Sequence, residues 1–393
     1  MDTFARPLRT SYLQADMTAW RRDFHRHPEL GFAEKRTSEA VARLLADFGL
    51  EVRTGIGGSG VVGILRRGSG PAIGLRADMD ALPINERNEF SHRSSCEGVF
   101  HGCGHDGHMS MLLGAAKHLA ASGRFAGTAC FIFQPAEEWG KGALAMIRDG
   151  LFDAFPVRDV YGMHNWPSLR EGCFAIRPGA MMAAEDNFTI TIRGRGGHAS
   201  APHLCRDPLV AGAEIVTALQ TIASRSADPA ETCVVSATEL VTDGARNILP
   251  STVTIKGDAR TFSDASSRMV ERRMGEIVAG ICAAHGVEGT LDYTHEFAVL
   301  VNEPDHVRWA VAAARETVGA ENVDADVAPK TGSEDFAWML KEKPGAYILI
   351  GAGSPSGDAP CLHNPYYDFP DSVLPIGADY WTRLVEIRLP AGA

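Results

Sequence analysis

The chain has 393 residues, 45% of them hydrophobic, so it can bury a full core and divides by length into about two or three domains. With 49 Asp plus Glu against 38 Lys plus Arg, its formal charge is -11, which argues against nucleic acid or an anionic membrane as the main partner. The start holds Arg6, Arg9 and Asp16 but no apolar run, no stretch approaches the length of a membrane span, and eight cysteines without framework spacing fit free thiols in a reducing cytoplasm.

Residues 11–26 and 34–48 read as helices. Val41, Leu44, Leu45 and Phe48 give the second an apolar face, and Gly49 a C-terminal cap. Between them, His25-Arg26-His27-Pro28-Glu29-Leu30-Gly31-Phe32 reads as a structural turn made by Pro28 and Gly31 rather than as a ligand set. Residues 72–77 read as a buried strand that delivers Asp78 and Asp80 at its carboxyl end, where chemistry gathers in open α/β sheets. Asp is also a common turn former there.

Next comes His101-Gly102-Cys103-Gly104-His105-Asp106-Gly107-His108, with a helix behind it in which Met109, Leu112, Leu113, Ala116, Leu119 and Ala120 recur at helical spacing. Asp106 falls where an N-cap is expected, which places Cys103 and His105 in the preceding loop. A thiolate and an imidazole two residues apart can face one cation, and N/S ligands suit zinc and its neighbours. Taken singly, each of these histidines also has structural uses. Thr128 to Phe133 is another apolar strand and leads to Gln134-Pro135-Ala136-Glu137-Glu138-Trp139-Gly140. One of two adjacent glutamates can ligate a metal while the other acts as a base; an exposed acidic turn is the alternative. A helix from about 142 to 149 follows. Val160 to Met163 then reads as a strand ending at His164-Asn165-Trp166-Pro167.

The pattern changes after about Ala184. Phe188 to Arg193 alternates as a half-exposed strand does. A helix at 207–224, strands at 232–240 and 252–260, a helix at 264–284 and a strand at 288–297 complete the order β-α-β-β-α-β, the ferredoxin-like motif. Residues 185–297 therefore read as a domain inserted into a first domain of 1–184 and 298–393. The insert carries Arg195-Gly196-Gly197-His198-Ala199-Ser200-Ala201-Pro202-His203, then Asn247-Ile248-Leu249-Pro250, with Asp258 and Arg260 downstream. The first pattern returns with a helix at 305–318, the polar turn Gly332-Ser333-Glu334-Asp335-Phe336, a strand at 346–350, Cys361-Leu362-His363-Asn364-Pro365 and a helix at 373–387. The fold class is α/β: a catalytic domain with a mixed central sheet flanked by helices, plus an inserted α+β ferredoxin-like domain. Four strand ends or loops of the first domain offer Cys103 with His105, Glu137 with Glu138, His164, and His363, and their joint placement carries the signal.

The runs HRHPELGF, RADMDALP, HGCGHDGH, QPAEE, GMHNWP, GGHASAPH, NILP and CLHNP resemble the M20 metallopeptidase family, subfamily D, from about Asp16 to the carboxyl end. This is the group of aminoacylases, hippurate hydrolases and auxin-conjugate hydrolases. The resemblance implies two divalent ions per chain, zinc or manganese ahead of nickel or cobalt. Their implied ligands are Cys103, His105, Glu138, His164 and His363, with a bridging water and Glu137 as general base. It implies an orienting role for Asp80. Asp78 stands where many peptidase relatives have a histidine ligand, and Cys103 near their bridging aspartate, so the coordination of each ion stays open. The insert is implied to be a lid and dimerisation domain that makes a homodimer or dimer of dimers. His198 would complete the partner's site as an oxyanion donor, and Asn247 and Arg260 would join His198 in binding substrate. For Arg260, a salt bridge on a sheet face is the alternative to a substrate carboxylate. The implied reaction is hydrolysis of an N-acyl or N-aroyl amino acid to a carboxylic acid and a free amino acid. Open beside it are a dipeptidase, an N-acetyldiaminopimelate deacetylase, a one-metal enzyme, and an inactive amino-acid-conjugate binder, against which Glu137 and the full ligand set speak.

Overall fold

A computed structural model describes residues 7–354, 357 and 359–391. Residues 1–6, part of the stretch read for a leader, lie outside the described residues. The chain forms two compact units: Met1–Gly179, Val301–Ala328 and Asp335–Ala393 make one, and Ala180–Leu300 with Pro329–Glu334 the other. Pro329–Glu334 joins the inserted unit through backbone pairing, since Ala183 N–H donates to the Lys330 and Gly332 carbonyls and Lys330 N–H to that of Met181.

The first unit opens with helices α1 (Gln14–Arg26) and α2 (Lys35–Asp47), then strands β1 (Glu51–Ile56), β2 (Gly60–Arg67) and β3 (Ala72–Asp78). Helix α3 (His105–Ser122), strand β4 (Gly127–Gln134), helix α4 (Gly142–Arg148) and strand β5 (Asp159–Arg170) follow. One eight-stranded sheet runs β1-β2-β4-β3-β5, then Gly345–Gly353, Phe174–Ala175 and Val323–Asp324. β3 is parallel to β4 and β5, and β5 to Gly345–Gly353, while β2 is antiparallel to both of its neighbours. The sheet is thus mixed, with its parallel strands at the centre. Those strands are buried almost end to end, as continuous apolar runs with both faces covered must be. Helix α3 packs on α1 and on the last helix, Leu374–Arg388.

The structure corrects two local expectations. Asp106 is not the N-cap of α3; Gly104 takes that position in a left-handed conformation, φ +90°, and Asp106 lies in the first turn. Its carboxylate points inward because the interior holds its partners. His25 Nδ1 lies 2.8 Å from Asp106 Oδ2 and Arg21 Nη1 3.5 Å from it, with all three side chains buried. His164 does not follow a strand end but lies within β5, whose pairing with Gly345–Gly353 continues past it to Trp166.

His25 lies in the last turn of α1, where its partners are carboxylates. Its other nitrogen lies 3.1 Å from Glu86. Burial works against the charged imidazole, but Asp106 and Glu86 outweigh it and hold His25 up at about 9, against an ordinary value of 6.5. A basic group with a raised folded pKa contributes stability that is complete below its unfolded value and lost as pH rises through its folded one. The melting temperature of the wild type should therefore decline between pH 6.5 and about 9, and His25→Gln should flatten that decline. Equal slopes for the two proteins would refute the assignment.

The second unit is a four-stranded sheet in the order Cys233–Thr242, Thr252–Thr261, Ala184–Arg193, Glu288–Phe297, with every neighbouring pair antiparallel. Helices Pro208–Thr221 and Asp264–His285 complete the β-α-β-β-α-β order of the ferredoxin-like motif. Phe188, Ile190 and Ile192 alternate inward and meet Ile215, Leu219, Met274 and Val278 in one core.

Candidate metal centre

The proposed ligands of the first unit converge at the carboxyl end of its central strands. β3 hands on to Asp80, the loop before α3 presents Cys103, α3 starts with His105, the turn after β4 holds Glu137 and Glu138, β5 carries His164, and His363 lies in the loop after Gly345–Gly353. Three sets of donor atoms each lie within 4.8 Å of one another: Cys103, His105 and His164; Cys103, Glu138 and His363; His105, Glu137 and Glu138. Cys103 Sγ is 3.4 Å from His164 Nε2, and Glu138 Oε1 is 3.4 Å from His363 Nε2 and 3.8 Å from His105 Nε2. Ligands about 2.0–2.3 Å from a tetrahedral ion stand about 3.3–3.8 Å from each other, so these gaps have the size a cation needs. His105 Nε2 and Glu138 Oε1 are buried and make no hydrogen bond, which a shared cation would remedy. One thiol, three imidazoles and a carboxylate suit a divalent transition ion.

The electrostatics agree. Burial pushes the Cys103 thiol well above its usual range, and the charges of Glu138, Glu137 and Asp78 push it further, so it needs a cation to ionise. Burial and then His108 push His164 well below the usual imidazole range, leaving it neutral, as a ligand must be. Its Nδ1–H donates to the Asn165 carbonyl at 2.7 Å, which frees Nε2. Burial lowers His105, but Asp78, Asp80 and Glu138 outweigh it and hold the ring up at about 10. That proton is what a divalent ion would displace.

Asp80 sets the orientation of two neighbours. His105 Nδ1 donates to its backbone carbonyl at 2.9 Å and lies 3.2 Å from Oδ1, so Nε2 is the nitrogen left for a metal. The Glu138 N–H donates to Asp80 Oδ2 at 3.0 Å. Asp78 is braced instead by Arg76 at 2.7 Å and His108 at 2.6 Å, and it stands 3.8 Å from His105 Nε2. Gly104 admits no side chain: a Cβ there would come within 2.5 Å of Asn165 Oδ1.

Backbone strain concentrates here. Ala136 and His363 take positive φ values of 47° and 64°. Such conformations persist only where the surroundings enforce them. The Ala136 N–H donates to the buried Glu34 carboxylate at 2.9 Å, and the His363 N–H to the Gly102 carbonyl at 2.8 Å, which ties the His363 loop to the Cys103 loop. Glu137, 6% exposed, accepts from the Asp335 N–H at 3.4 Å. Asp335 in turn accepts from Gln134 at 2.7 Å, Arg76 at 3.1 Å and the Ala143 N–H at 2.9 Å. Sequence reasoning missed His108, Asn165 and Asp335 as site residues. The third histidine of the eight-residue motif and the acidic turn before Phe336 were the available signals.

In the second unit, Gly197–His198 pairs with Ile248–Leu249, so the two polar runs of the insert come together, and the Ala199 N–H donates to the Asn247 carbonyl at 3.0 Å. The Ser200 N–H donates to His198 Nδ1 at 3.1 Å, which leaves Nε2 as the donor nitrogen of the exposed ring. Arg260, on Thr252–Thr261, is paired with Glu185 at 2.7 Å and Asp258 at 3.0 Å and donates to Ser333 Oγ at 2.6 Å.

Residues 74–387 match the description of peptidase family M20/M25/M40. A hippurate hydrolase of Campylobacter jejuni is 40% identical over 95% of this chain and 96% of its own. An N-acyl-L-amino acid amidohydrolase of Geobacillus stearothermophilus is 41% identical over 77% of this chain and 83% of its own. A crystal structure of a dinuclear metal-binding M20 peptidase from Bacillus subtilis matches with a TM-score of 0.83 at 29% identity, covering 97% of this chain and 99% of that one. With its motifs, its cluster of candidate ligands and its fold all in agreement, the chain belongs to peptidase family M20/M25/M40.

Proposed function

We propose that the protein hydrolyses the amide bond of N-acyl or N-aroyl amino acids, releasing a carboxylic acid and a free amino acid, with two divalent ions per chain, zinc or manganese ahead of nickel or cobalt. One observation carries this reading. Glu137 and Glu138 sit side by side on one turn, both among the candidate ligand atoms, Glu138 also grouped with Cys103 and His363 and Glu137 held by the Asp335 N–H. The relatives named hippurate hydrolase and N-acyl-L-amino acid amidohydrolase support amide hydrolysis.

Cys103, His105, Glu138, His164 and His363 would hold the ions, which when bound supply Lewis acidity for a carbonyl and an acidified water. Glu137 accepts the proton of the attacking water and returns it to the departing amine nitrogen. Asp80 keeps His105 in the tautomer that leaves Nε2 free and fixes the backbone of Glu138. His198 offers its Nε2–H to the carbonyl oxygen as charge builds there. Asn247 and Arg260 bind the amino-acid half, a substrate carboxylate replacing Glu185 or Asp258 at the guanidinium.

The inserted unit exposes the apolar side chains of Leu204, Leu209, Val210, Leu240, Val241 and Ile248, which a second copy would cover in a homodimer or dimer of dimers. All eight cysteines are free, which supports a cytoplasmic site of action. Among the described residues, no helix is long and apolar enough to cross a membrane.

Product analysis with N-benzoylglycine, N-acetyl amino acids and dipeptides tests the reading. Chelator-sensitive cleavage of the acylated substrates, restored by a divalent metal, is the expected outcome. Cleavage of dipeptides alone, or of nothing, overturns it.

A further inference from the structure

The segment from Glu29 to Glu34 lies between two loops of the candidate site. On one side the Ala81 N–H donates to the Glu29 carbonyl at 2.9 Å, and Leu30 forms a parallel bridge with Ala81, the residue after Asp80. On the other side Gly31 lies flush against the turn after β4: a Cβ there would come within 3.0 Å of Ala136. Glu34 then precedes helix α2, with its side chain fully buried. One short segment thus links the loop of Asp80 to the turn of Glu137.

A carboxyl group in the interior is costly, and packing alone is served by an apolar side chain. Burial pushes the Glu34 carboxyl above the usual carboxylate range. Its oxygens accept from neutral donors, Oε1 from the Ala136 N–H at 2.9 Å and Oε2 from the Ser59 hydroxyl at 2.6 Å. What Glu34 supplies is an acceptor at a strained point. Ala136 is buried at φ 47°, a conformation that residues with a Cβ seldom take. The dihedrals of Ala136 set the direction in which the chain enters Glu137. Beyond that joint the turn is closed by the Gly140 N–H on the Glu137 carbonyl at 2.8 Å and the Gly142 N–H on the Ala136 carbonyl at 3.1 Å. Glu34 is in none of the candidate ligand sets, so any effect it has on the site passes through the backbone.

We propose that Glu34 is a positioning residue for the general base: its carboxylate holds Ala136 in the left-handed conformation and so fixes where Glu137 points. The proposal rests on the amidohydrolase reading above.

Steady-state kinetics on the metal-loaded enzyme test it, with whichever of N-benzoylglycine and the N-acetyl amino acids the wild type cleaves fastest. Glu34→Ala should lower kcat about a hundredfold, with KM and metal content unchanged, the cost of displacing a reacting group by about an ångström. Glu34→Gln should restore most of kcat, since its amide oxygen can accept from the Ala136 N–H and its NH2 can donate to Ser59. Glycine takes positive φ freely, so in an Ala136→Gly background the loss caused by Glu34→Ala should be about tenfold smaller, the scale on which contacting residues couple. A residue that serves the fold alone gives neither the kcat-specific loss nor the glycine effect. Glu34→Leu, which fills the space without an acceptor, replaces Glu34→Ala if that variant does not fold. Failure of both to fold overturns the proposal, since Glu34 then serves the fold. So do an unchanged kcat, a change in KM alone, a loss of bound metal that accounts for the fall, Glu34→Gln as slow as Glu34→Ala, or an equal loss in the Ala136→Gly background. No cleavage by the wild type overturns the amidohydrolase reading and this proposal with it; with an active wild type, the other outcomes overturn the proposal alone.

Discussion

Glu137→Gln leaves the metal content unchanged and lowers turnover by roughly two to four orders of magnitude, the span of a lost general base. Glutamine keeps the shape of the side chain and can still meet the Asp335 N–H, so the turn after β4 stays in place. Glu138, whose oxygen stands with Cys103 and His363, is untouched. What disappears is the acceptor for the water proton. Turnover and bound metal measured on the same preparation check this. Retention of more than about a tenth of the activity would remove Glu137 from the role. A parallel loss of metal would move it into the ligand set, where its proximity to His105 and Glu138 makes it a competitor.

His198→Ala lowers turnover by about two to three orders of magnitude, the cost of one oxyanion donor, with metal content intact. All five proposed ligands belong to the first unit and His198 to the second. Its ring has its donor nitrogen defined in advance, because the Ser200 N–H occupies Nδ1. If His198 serves the site of a partner subunit, mixing His198→Ala with Glu137→Gln protein restores part of the activity. A mixed dimer then holds one site with both defects and one with neither. Activity should rise only once subunits exchange, and it should exceed the sum of the separate variants. Mixtures that never exceed that sum would place His198 in the site of its own chain or outside any site.

How much of this was legible in the sequence depended on the range of each interaction. Strands β3 and β4 and helix α3 were plain because apolar runs and 3.6-residue spacing are local signals. The same local view put the cap of α3 at Asp106, whereas Gly104 caps it and Asp106 answers to His25, 81 residues away. It ended a strand before His164 because polar residues in a buried strand read as a boundary. There they are tolerated because Asn165 bonds His108 and Tyr367, and His164 faces Cys103. The five proposed ligands lay in motifs and could be named. Asp335 could not, because its part in the site is a contact with Glu137 across 198 residues. Arg260 was left between two readings, and the structure shows the ion pair on the sheet face, with the exchange for a substrate carboxylate still to be tested.

Cys103 belongs to two of the five candidate ligand sets among the described residues. If Cys103 holds a metal as proposed, the centre inherits the redox chemistry of sulfur. Oxidation of that one atom to a sulfinic or sulfonic acid is not reversed by ordinary thiols, and it would remove the thiolate from both sets at once. A carboxylate in the same place has no such chemistry. For a protein whose eight cysteines are all unpaired, the reducing power of its surroundings therefore bears directly on how long the catalyst lasts, quite apart from how stably the chain is folded.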